Sequence, residues 1–107
     1  MASNFKIAIH RNDDNLHLKL MGDFDGSSAC ELINTLKNKC KNIGRIFIHT
    51  NGLDHIHPFG QRVFHHNFNM LKVRTIRIFF TGDKAKKIAP EERYLMENQN
   101  QNYAYGF

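Results

Sequence analysis

The chain lacks a Cys-x-x-Cys pair, a Gly-rich phosphate loop and any apolar run near the roughly 20 residues that span a bilayer. Each absence removes a class of protein. Among 107 residues only Cys30 and Cys40 are cysteines. Their spacing along one predicted helix is about 15 Å of rise, too far for a disulfide. Two reduced, partly buried thiols on the helix's inward stripe are expected instead. The segments GDFDG (22–26) and TGDK (81–84) lack the P-loop pattern. Asp23 and Asp25 have no third carboxylate nearby to complete a calcium loop. No Ser–His–Asp or Cys–His grouping surrounds a candidate nucleophile. The N-terminal MASNFKIAIH has no signal-peptide core, so a cytoplasmic protein is expected. No cofactor and no enzymatic activity are implied.

What is present points to one packed domain. The length fits a single globule. A hydrophobic content of 41% with nine Phe argues against disorder. The net charge is +5, which suits an anionic partner. The basic residues, however, are spread from Lys6 to Lys87. Nucleic-acid binding by a basic domain is an alternative, but it needs cations and aromatics on one face. The linear sequence shows no such cluster.

Residues 5–10 alternate, with Phe5, Ile7 and Ile9 on one side and Lys6 and His10 on the other, as in a half-buried strand. RNDDN (11–15) is a turn. Leu16, Leu18 and Leu20 then alternate with His17, Lys19 and Met21, which completes a hairpin. Asp25 or Ser28 can cap the helix that follows, and Ser28 with Glu31 fits a capping box. Ala29, Leu32, Ile33, Leu36, Cys40 and Ile43 form its inward stripe, and Gly44 ends it. RIFIHT (45–50) reads as a central buried strand, and NGLDHIH (51–57) as a connection. Pro58 suits a helix's first turn. That helix turns Val63, Phe64, Phe68 and Leu71 inward, with Gln61, Arg62, His65, His66, Asn69 and Lys72 mostly outward. TIRIFFT (75–81) is a fourth strand, and a short helix precedes Pro90. The order β-β-α-β-α-β-(α) implies an α/β fold, a mixed sheet of four or five strands with helices packed on it. Residues 1–92 form the domain and 93–107 a polar tail.

Four of the seven histidines lie within residues 52–71. A metal site there would gather His49, His55, His57 and His65 or His66. The spacing does not favour it: His65 and His66 lie about two helical turns beyond His57, and no i, i+4 histidine pair occurs in the segment. His-dependent metal binding therefore ranks as a further alternative.

Two motifs and the element order resemble the STAS family, the sulfate transporter and anti-sigma factor antagonist domains. LHLKLMGDFDGSSACELINTLK is similar to the family's second strand and the helix start that follows, with Gly22, Phe24 and Asp25 in the motif places. RIFIHTNGLDHIHPFG is similar to its central strand and the loop ending in Asp-Ser-x-Gly, with Gly60 as the final glycine. The resemblance covers residues 5–90. It implies a bacterial signalling module that docks on a regulatory protein, such as an anti-sigma factor kinase or a larger assembly. It implies no membrane partner, does not favour nucleic acid, and leaves a homodimer open.

The departures change the expected control. In the family's antagonists the motif serine is phosphorylated at a helix N-terminus, where dipole and N–H groups favour the charge. Pro58 occupies that position and has no hydroxyl. His57 and His49 stand where the family has aspartates. The resemblance thus implies a docking surface without the phosphoserine switch, controlled by expression, partner state or pH. Its contact residues would be Asp25, His49, His55, His57, Pro58, Gly60, Arg62, His65, His66 and Asn69. His49 and His57 are expected together at one end of the sheet.

Overall fold

The computed structural model describes residues 4–39, 43–71 and 77–89. Within them the elements are β1 (Lys6–Asn12), β2 (Asn15–Phe24), α1 (Gly26–Lys39), β3 (Arg45–Ile56), α2 (Pro58–Phe68), β4 (Arg77–Thr81) and α3 (Ala85–Ile88). The strands form one sheet in the order β1-β2-β3-β4. β1 runs antiparallel to β2, and β2, β3 and β4 run parallel. This is a mixed α/β sheet whose crossovers are the helices, as the element order requires.

The apolar alternation fixes which face is packed. Leu16, Leu18 and Leu20 of β2, Ile46 and Ile48 of β3, and Ile78 and Phe80 of β4 are all buried in one cluster. Ala29, Leu32, Ile33 and Leu36 of α1, Phe64 and Phe68 of α2, and Ala85 and Ile88 of α3 close the same cluster from the helix side. Aromatic edges stitch the layers. The Phe24 and Phe64 rings meet at 6.0 Å and 80°, and those of Phe64 and Phe80 at 5.8 Å and 77°. Burying each such side chain contributes roughly 1.5–3 kcal/mol. All the described helices therefore lie on one face.

Several expectations need correction. Ile9 shares the helix-side face with Leu18, its partner on β2, yet is 46% exposed, because β1 is an edge strand. Cys30 is exposed; the buried stripe of α1 runs through Ala29, Leu32, Ile33 and Leu36 and leaves it to one side. Ile43 is buried but lies beyond the end of α1 at Lys39. The segment read as a connection, 51–56, continues β3 to Ile56. Gly52, Leu53 and Ile56 pair with Met21, Gly22 and Phe24 across two register irregularities. Cys40, the early part of the expected fourth strand, Pro90 and the tail 93–107 lie outside the described residues. Among the described residues no helix is long and apolar enough to cross a membrane.

Candidate functional site

The site is built where β2 ends, α1 begins and α2 begins. The pairing of β2 with β1 ends at Met21, and the next residue, Gly22, has a φ of +92° that suits glycine. A Cβ there would run into the Asn4 carbonyl. Asp25 then caps α1. Its Oδ1 accepts the Ser28 backbone N–H at 2.9 Å and the Ser27 and Ser28 hydroxyls at 3.0 and 2.9 Å. These donors, the Ser28 N–H first, hold the Asp25 carboxyl well below the usual carboxylate range. Asp25 is therefore the cap. Ser28, 1% exposed, sits inside the first turn, with its hydroxyl also 2.9 Å from the Asp23 carbonyl.

α2 is pinned against this junction. The His57 N–H donates to the Phe24 carbonyl at 2.9 Å. A Cβ on Gly60 would lie 2.8 Å from the Phe24 oxygen and 2.9 Å from the Asp25 carbonyl carbon, so a glycine is needed for this close approach. Pro58 takes the first helical position after an extended His57, which makes no side-chain cap. The next residue, Phe59, is 60% exposed. Its ring lies over Gly26, where a Cβ would be 2.9 Å from Phe59 Cε2. The Arg62 guanidinium sits 5.9 Å from that ring, a cation–π contact.

One exposed row of α2 follows. Phe59, Arg62 and His66 recur at helical spacing, and Asn69 and Met70 extend the row past the helix end. Met70 is 69% exposed. The sequence reading placed Phe59 and Met70 on neither face of this helix, because it counted only polar residues as outward. The available signal was that both fall on the side of Arg62 and His66, opposite Phe64 and Phe68.

The histidines divide. His57 and His66 are exposed on this surface. His55 is also exposed, and its Nδ1 lies 3.1 Å from Asp23 Oδ1. His65 is drawn inward: its Nε2 donates to the Ile88 carbonyl at 3.0 Å, while Gln61 donates to that of Lys87. His49 is not beside His57, as expected, but in mid-strand on the sheet's other face. There it meets His17 and Thr81. Its pKa is lowered to about 4, first by burial and then by His17 and Lys19. No three His, Cys, Asp or Glu side chains among the described residues are placed to hold a metal ion.

Comparison with known proteins places the fold. No protein-family model and no curated protein matches the chain. Solved structures do. The unphosphorylated anti-sigma factor antagonist SpoIIAA is similar over 86% of this chain and 87% of its own, with a TM-score of 0.58 and 11% identity. A protein of the DUF3478 family from Shewanella loihica PV-4, with a SpoIIAA-like fold, is similar over 94% and 91%, with a TM-score of 0.50 and 13% identity. Mglu is similar over 82% of this chain, with a TM-score of 0.60 and 19% identity. This chain spans only 20% of that Mglu chain's length. At these identities the likeness concerns the fold alone, and the fold is STAS-like.

Proposed function

We propose that the chain is a non-enzymatic docking module, acting as anti-sigma factor antagonists act but without a phosphoserine switch. One observation carries this reading: the exposed Phe59, held over Gly26 and under Arg62 at the start of α2. A large ring costs free energy in water and gains it when a partner covers it. Its place corresponds to the loop and helix that carry the switch in the resembling family. Pro58 offers no acceptor there. The docking surface runs from Asp25, His55, His57 and Pro58, over the Gly60 contact, along Arg62, His66 and Asn69. The partner class is a regulatory protein such as an anti-sigma factor kinase, and the setting bacterial signalling.

Mixing the chain with such a kinase from the same genome, with and without ATP, tests this. Co-elution without phosphate transfer to the chain supports the reading. Phosphate on the chain with ATP, or no complex under either condition, contradicts it.

A further inference from the structure

β1 is an edge of the sheet, and among the described residues it pairs only with β2. Its seven residues follow β2 without a bulge; the register irregularities lie between β2 and β3. No proline interrupts it. Such a regular edge presents a row of backbone N–H and C=O groups, a template for another strand. Lys6 and residues 9–12 are exposed. Ile7, Ile9 and Arg11 stand opposite Leu20, Leu18 and Leu16 of β2, so they share the helix-side face. Ile9 is the middle residue of the strand, and the helix layer stops short of covering it.

We propose that β1 pairs antiparallel with β1 of a second copy of this chain, about a two-fold axis through Ile9. A two-fold axis makes the strand its own partner, so only a register centred on Ile9 pairs all of Lys6–Asn12. That register sets Ile9 against Ile9, Ile7 against Arg11, Ala8 against His10 and Lys6 against Asn12. No basic side chain directly faces another, whereas centring on Lys6 or Arg11 would oppose like charges. On the helix side each Ile9 covers the other at about 5 Å, and the aliphatic stem of Arg11 lies along Ile7. A strand from another protein would need its own apolar residue opposite Ile9; a second copy supplies it by symmetry. The two four-stranded sheets then join edge to edge through β1. A ribbon of this length is a small interface, in the class below about 1,200 Å² that associates weakly, so a micromolar dissociation constant is expected. The inference rests on β1 and not on the docking role of α2, so either can fail alone.

The test is sedimentation velocity of the whole chain over about 5–500 μM, a range that brackets a micromolar constant. A concentration-dependent dimer is expected. Ile9→Lys sets two ammonium groups together at the axis and removes the apolar contact, so it should weaken the dimer about tenfold or more. Ile9→Thr keeps a β-branched strand former and should weaken it by a smaller factor. Because Ile9 is already 46% exposed, both variants should keep the parent's circular dichroism melt. Phe59→Ala should dimerise like the parent, which separates the β1 edge from an association through α2. The proposal is overturned by a chain that stays monomeric across the range, or by a folded Ile9 variant that dimerises like the parent. It is equally overturned if Phe59→Ala abolishes the dimer.

Discussion

His17 Nδ1 lies 3.0 Å from His49 Nε2, and His49 Nδ1 lies 2.7 Å from the Thr81 hydroxyl oxygen. The three side chains tie β2, β3 and β4 together on the outer face of the sheet. One imidazole must donate and the other accept, so the pair is stable only with a proton missing. Full protonation would set N–H against N–H in a place already short of solvent.

Acid should therefore weaken the fold well above the carboxylate range. Burial first, and then cationic neighbours, lower both imidazoles, with His49 falling from 6.5 to about 4. With folded values below unfolded ones, the unfolded chain takes up protons first as pH falls. The stability is fully present above about pH 6.5 and is lost progressively towards pH 4, on the order of 2–3 kcal/mol for His49. Urea unfolding at several pH values checks this. His49→Gln should flatten the dependence, and a midpoint constant between pH 7 and 4.5 would refute the role given to the pair.

The α1 cap gives a second prediction. Asp25→Ala removes the acceptor for the Ser28 N–H and should cost about 1 kcal/mol. Asp25→Asn keeps an acceptor and should cost only a few tenths of that. Equal losses in denaturant unfolding would mean that the charge, not the hydrogen bond, is what matters.

Gly60→Ala should be costlier. Its added methyl would meet backbone atoms at 2.8 and 2.9 Å, and backbone cannot swing aside as a side chain can. A loss of roughly 1–3 kcal/mol is expected, as for overpacking elsewhere. A variant as stable as the parent would mean that α2 is not seated against β2 in this way.

The strands, the two long helices and the Asp25 cap were legible because alternation and helical spacing record which side is packed. Three features were not. Asn51-Gly52 has the local signature of a turn, but pairing with the irregular end of β2 keeps it extended. His17 looked like an outward polar residue; it does face outward, yet it is 2% exposed, because its burial depends on neighbours in other strands. The cations appeared scattered because strand register, which sequence does not print, is what sets Arg45 beside Arg77. At the proposed docking surface Pro58, His57 and Arg62 were visible by resemblance. Phe59 was passed over because only polar residues were counted as outward on this helix.

The central claim is that α2 is a docking face anchored by Phe59. Calorimetric titration of an anti-sigma factor kinase with the chain and its Phe59→Ala variant tests it most directly. The account predicts a loss of about 2 kcal/mol or more in binding, some thirtyfold, with an unfolding midpoint little changed, since the ring is 60% exposed. Equal affinity of parent and variant, in a complex that does form, would contradict it.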